Sequence, residues 1–154
     1  MESLTASQAF SMAPPRSAAV LCLKGPDGST DLITTEWFTW LNLKRQPMIS
    51  FSMVRSASLG LDLKTDDALV LAFPPRQEAE KYRAGVRTAR DGQDKPLPVE
   101  VCSLPDVCVQ VPADSEVLLK CTLAGAYNYP FKKVRIFNCN LEEALGEPES
   151  EREP

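Results

Sequence analysis

The chain has 154 residues, 44% apolar and 25% charged, with thirteen prolines, five cysteines and no histidine. That is one ordinary globular domain with material for its own core, richer in strands and loops than a helical bundle, and without an apolar run long enough to span a membrane. The missing histidine removes the commonest general base, the Ser-His nucleophile and most catalytic metal sites, so any difficult chemistry falls to a cofactor.

The net charge of −4 is unevenly spread: residues 141–154 carry six glutamates against one arginine, which leaves the rest of the chain at +1. A near-neutral body disfavours nucleic acid, and the acidic end reads as a solvated, disordered tail. The organisation expected is a lead-in over residues 1–13, a folded domain over 14–140 and the tail over 141–154. The first residues lack the basic start and apolar centre of a secretory signal, and the cysteines have no C-x-x-C pairing. Reduced, mostly buried thiols in a cytoplasmic protein follow as the expectation.

In chain order, a first strand is predicted over Ala18–Lys24, a hairpin turn at Gly25-Pro26-Asp27-Gly28, and a returning strand over Thr30–Thr35. That strand sets Leu32 and Thr34 on one face and Ile33 and Thr35 on the other. Three aromatics in four residues, Trp37, Phe38 and Trp40, predict a short helical turn over Glu36–Leu43. Met48–Val54 is a strand, Ala57–Lys64 a helix capped by Ser56, and Ala68–Phe73 a buried strand. Arg76–Ala84 reads as a solvated helix and Gly85–Pro98 as a long loop. Val107–Val111, Glu116–Ala126, with a bend at Gly125, and Lys133–Asn140 complete the strands. Six or seven strands with two or three short helices make a mainly β fold, a small barrel.

Chemistry concentrates in two places. Arg55-Ser56-Ala57-Ser58, at a strand end and a helix start, offers a cation, hydroxyls and a helix N-terminus, which suits a phosphate; a plain helix cap beside a solvated arginine is the plainer account. Thr34, Thr35 and the backbone of Asp31–Trp37 offer hydrogen bonds to a ring edge, and Trp37 and Phe38 offer flat apolar contact, unless the aromatics simply pack the core. No G-x-G-x-x-G and no βαβ pattern is present, which argues against a resident dinucleotide domain.

The order of these residues resembles the flavin reductase-like, FMN-binding split-barrel family, in particular its flavoredoxin-type branch. The resemblance runs over residues 14–140. It rests on Pro15, the VLCL strand, Pro26-Asp27-Gly28, then Asp31, Thr34, Glu36, Trp37, Phe38 and Thr39, followed by Pro47, the ISFSMV strand and Arg55–Ser58. Thr88-Ala89-Arg90-Asp91 with Asp94-Lys95 is similar to the family's loop motif, and Leu119–Leu123 to a late strand. The resemblance implies a six- to seven-stranded split β-barrel and a homodimer binding FMN near the subunit interface. Such a protein moves electrons between a reduced donor, NAD(P)H or a redox protein, and an acceptor. Carried over by position, Asp31 and Thr34 to Trp37, including Thr35 and Glu36, would line the ring and phosphate path. Arg55, Ser56 and Ser58 would hold the phosphate, Arg90 would join the binding set, and Lys95 would lie near the ring, where a cation stabilises reduced flavin. Asp31 stands where the family has asparagine, Glu36 where it has a small hydroxyl residue, and the family's late histidine has no counterpart. An alternative is therefore carried with the first reading: a non-redox dimeric barrel that uses its pocket for another anionic ligand.

Overall fold

A computed structural model describes residues 1–14, 19–24, 30–35, 37–54, 63–75, 78, 100–128 and 134–147. Among these residues lie one helix, α1 (Ala6–Met12), and ten strands. The strands are β1 (Glu2–Leu4), β2 (Val20–Lys24), β3 (Thr30–Thr34), β4 (Trp37–Asn42), β5 (Met48–Val54), β6 (Ala68–Phe73), β7 (Val101–Cys102), β8 (Val111–Pro112), β9 (Val117–Asn128) and β10 (Val134–Gly146). Seven strands form one antiparallel path, β3-β2-β6-β9-β10-β5-β4, with β1 added beside β10 and β7 paired separately with β8.

The path curls because its two edges are consecutive in the chain. β3 ends at Thr34 and β4 begins at Trp37, a step that spans at most about 11 Å. Yet Thr34 is level with Leu118 of β9, through Val20 and Ala72, while Trp37 is level with Tyr127, through Ser52 and Ile136. Going once round the sheet therefore accumulates a stagger of nine residues, from 118 to 127. Such a shear tilts the strands of a barrel and lets its edges meet. Among the described residues β3 and β4 are the ends of the path and share no ladder, so the chain itself joins the barrel at this seam.

Alternation then sorts the side chains. Leu21, Ile33, Phe38, Ile49, Phe51, Leu71, Leu119 and Phe137 fill the interior and are essentially inaccessible. Val20, Cys22, Leu32, Val70, Ala72 and Leu118 face outward and are buried as a second cluster, against which Val101, Leu104, Val107 and Val109 pack. The long β9 and β10 carry the curvature: their ladder slips between Asn138 and Cys139 and again between Leu141 and Glu143, as bulges do where a strand must coil. α1 packs against the interior through Ala9 and Ala13. Its start is a capping box, the Thr5 hydroxyl accepting from the Gln8 amide at 3.1 Å while the Thr5 amide donates to the Gln8 side chain at 2.8 Å.

Three expectations need correction. Glu36–Leu43 is not a helical turn: Trp37–Asn42 is the edge strand β4, paired with β5, because Phe38 gains full burial only if the segment alternates. The tail does not begin at Leu141, since Leu141–Gly146 continues β10 and pairs with both β9 and β1. Val107–Val111 alternates without being a strand; only Val111–Pro112 pairs, with Val101–Cys102. The Gly25–Gly28 turn, most of the Ala57–Lys64 and Arg76–Ala84 helices, the Gly85–Pro98 loop and residues 148–154 lie outside the described residues.

Candidate functional site

The seam places the segment singled out from the sequence. β3 brings the backbone of Asp31 opposite Leu23 and that of Thr34 opposite Val20, and Thr34 is partly exposed. Thr35 is buried: its amide donates to the carbonyl of Ala19 at 2.9 Å, and its hydroxyl donates to the same oxygen at 3.2 Å. Trp37 opens β4 and is 42% exposed. Phe38 points the other way and meets Phe73 edge-on at 4.9 Å between ring centroids, so it belongs to the core and not to a binding surface. Trp40 is tied down as well, its indole N–H donating to the Ala13 carbonyl at 2.8 Å and its ring edge-on to Phe10 and Phe38. One aromatic of the three is thus free for a ligand.

Around Trp37 the cross-strand registers assemble a surface that no linear reading displays. Directly paired residues share a face, so Trp37, Ser52, Ile136 and Tyr127 form one row across β4, β5, β10 and β9, and Thr39, Ser50, Asn138 and Gly125 form the next. None of these eight side chains is charged, in a chain that is 25% charged. Trp37 and Tyr127 stand exposed at the two ends of their row. A Cβ at Gly125 would meet nothing within 4 Å, so the surface is open there. Ser50 and Ser52 are buried, and among the described residues neither hydroxyl has a hydrogen-bond partner. The alternation of β5 marks these two serines; Asn138, Gly125 and Tyr127 become visible once the pairing is known. Thr39 and Asn138, partly exposed, give this uncharged shelf a hydroxyl and an amide, and with a tryptophan at its edge it is suited to a flat, polar-edged ring.

Beyond this shelf, Arg135 lies where β5 ends and β10 begins, opposite Met53 and Asn128. Glu36, Arg55, Ser56, Ser58, Arg90 and Lys95 lie outside the described residues, as does the side chain of Asp31. A surface groove of about 280 Å³ exists elsewhere, lined by Met1, Ser3, Pro105, Asp106 and Glu143. It contains none of the expected site residues, and its Glu143 is engaged by Lys120 at 3.3 Å and by Ser3 at 3.1 Å. All five cysteines are free thiols, and Cys22, Cys121 and Cys139 are buried. Burial pushes all three thiols upward, that of Cys139 to about 12, which makes them inert packing groups. Among the described residues no helix is long and apolar enough to cross a membrane.

No protein-family model and no curated protein matches the sequence. The backbone, however, is similar to that of flavoredoxin from Methanosarcina acetivorans, with a TM-score of 0.65 at 17% identity over 86% of this chain and 69% of that one. The fold is a mainly β split barrel. This split barrel is also similar to the NADH:FAD oxidoreductase of Streptomyces globisporus, with a TM-score of 0.67 at 16% identity over 90% of this chain and 79% of that one. An FMN-binding protein from Thermus thermophilus gives 0.65 at 14% identity, over 90% and 76%.

Proposed function

We propose that this split barrel is a flavin-binding redox protein that holds FMN at the β3–β4 seam. It moves electrons between a reduced donor, NAD(P)H or a redox protein, and an acceptor. The reading is carried by one observation: the seam of a barrel similar to flavin proteins leaves Trp37 exposed beside an uncharged, hydroxyl-bearing shelf. Trp37 would cover the ring and the backbone around Thr34 would meet its polar edge. Arg55, Ser56 and Ser58 would take the phosphate, Arg90 would join the binding set, and Lys95 would lie near the ring. Bound flavin supplies the capacity to accept and release electrons; the chain's own residues bind it, orient it and limit access of water. Purified protein should be yellow, or become so with FMN. Colourless protein that FMN cannot reconstitute would falsify this reading and favour the non-redox binding module.

The same shelf supports a homodimer. The outer half of the sheet at β2 and β6 is covered by the chain's own 101–111 segment. The outward rows across β4, β5, β10 and β9 combine exposed Trp37 and Tyr127 with an absence of charge, the composition of an interface centre. Sedimentation should give twice the chain mass, and Tyr127→Glu should return it to the monomer; a monomeric wild-type chain removes the second copy from the reading.

A further inference from the structure

The segment that covers the outer cluster is laid across the sheet and fastened to it sparingly. Its ends are drawn together by the β7–β8 ladder and by the Ala113 amide, which donates to the Glu100 carbonyl at 2.9 Å, as in an Ω-loop. Val101, Cys102, Leu104, Val107 and Val109 turn toward the sheet, yet each stays only half-buried. Between Ser103 and Gln110 the described residues show one backbone bond, from the Val107 amide to the Leu104 carbonyl at 3.2 Å, and it is internal to the segment. Two side-chain latches reach the sheet instead. At one end the Thr30 hydroxyl of β3 donates to the Gln110 amide oxygen at 2.6 Å. At the other the Lys120 ammonium of β9 donates to the Asp106 carbonyl at 2.8 Å while pairing with Glu143 of β10 at 3.3 Å. Asp106 sits at φ 62°, a conformation that a side chain disfavours and that this bond helps to fix.

Both flanks of the segment are undercut. Leu104, Pro105 and Asp106 border the groove of about 280 Å³, and Ser103, Val107 and Gln110 border a second, of about 130 Å³, facing Leu23 and Lys24. Beneath lie the apolar outer side chains, Cys22 and Leu32 among them. Leu32 belongs to β3, an end of the path that among the described residues is laddered to β2 alone. Half-buried contacts, no backbone ladder to the sheet and open flanks mark a unit that opens well below the free energy of global unfolding. We propose that residues 100–113 form a strap that opens as one unit, with Lys120 and Thr30 as its latches. Closed, it clamps the edge strand β3 and steadies the seam that β3 leads into; open, it releases both. This inference stands apart from the flavin reading.

Three buried thiols report on the strap, because Cys22 lies under it whereas Cys121 and Cys139 lie inside the barrel. With Cys102→Val and Cys108→Ser these are the remaining thiols, and their labelling by a thiol reagent, read by peptide mass spectrometry, times each opening. Cys22 should label at least about 10-fold faster than the other two, which wait for global unfolding. Its rate should vary weakly with low concentrations of urea and theirs steeply, since strap opening exposes little surface. Lys120→Met and, at an exposed position, Gln110→Ala should each speed Cys22 about 5-fold, the scale of one net hydrogen bond. One shared rate and urea slope for all three thiols, or a Cys22 rate indifferent to both latches, overturns the strap. Amide exchange in the unsubstituted chain tests the clamp: β3 amides should share the shallow urea dependence of Cys22. If they follow Cys121 instead, the strap does not hold β3 and the clamp is overturned.

Discussion

The carbonyl of Ala19 receives two hydrogen bonds from Thr35, one from its amide at 2.9 Å and one from its hydroxyl at 3.2 Å. This pair fastens the last turn of chain before the barrel seam, and it uses a hydroxyl that the sequence offers equally well to a ligand. Thr35→Val keeps the shape and removes the second bond. Stability should drop by about 1 kcal/mol, the usual net worth of such a bond, in urea unfolding. A loss of flavin affinity exceeding that drop would return Thr35 to the binding set.

Trp40 fixes the end of α1 through its 2.8 Å bond to the Ala13 carbonyl. Trp40→Phe retains ring packing against Phe10 and leaves that carbonyl without its donor, at a cost of about 1–2 kcal/mol. Amide exchange in α1 should accelerate more than exchange in β5 or β9. Uniform acceleration would mean that the helix does not depend on this contact.

Two glycines should respond in opposite directions. A Cβ at Gly146 would come within 2.8 Å of the Glu116 carbonyl oxygen and 2.9 Å of Leu4. Because the first is backbone, Gly146→Ala must push β1 or β9 aside, costing about 1–3 kcal/mol. At Gly125 the space is open, so Gly125→Ala should be neutral or gain up to about 1 kcal/mol from reduced chain entropy in the unfolded state. Chemical denaturation of both variants reads the contrast directly.

The buried thiols predict an alkaline loss of stability. Below pH 9, their ordinary value, they are protonated in both states and contribute no pH dependence. Above it the unfolded chain releases these protons first, while burial holds Cys139 protonated to about 12. The native state then binds more protons than the unfolded one, so stability falls as pH rises, by at most about 1.4 kcal/mol per pH unit for each thiol. Urea midpoints across that range should fall less steeply in Cys139→Ala; identical slopes would remove this thiol from the account.

The strands that were legible are those whose alternation is plain. Met48–Val54 and Ala68–Phe73 coincide with β5 and β6, and Leu32 and Ile33 divide between outer cluster and interior as expected. β4 was hidden by its aromatics, because Trp37, Phe38 and Trp40 within four residues fit a helical period as readily as a strand. β10 was cut short because the slip between Leu141 and Glu143 breaks the period of two where glutamates begin. The shelf around Trp37 was half legible. Its serines follow from β5 alone, but its far side is set by a pairing between residues more than eighty positions apart.

Thr35 and Glu36 are the two residues of chain between β3 and β4, and among the described residues no ladder spans the seam they cross. Adding one residue there would let the closing edges slide, change the girth of the barrel and shift Trp37 relative to the rest of its row. The length of that link is therefore a gauge for the width of the whole cylinder, and it should tolerate exchange of side chains far better than any change in number.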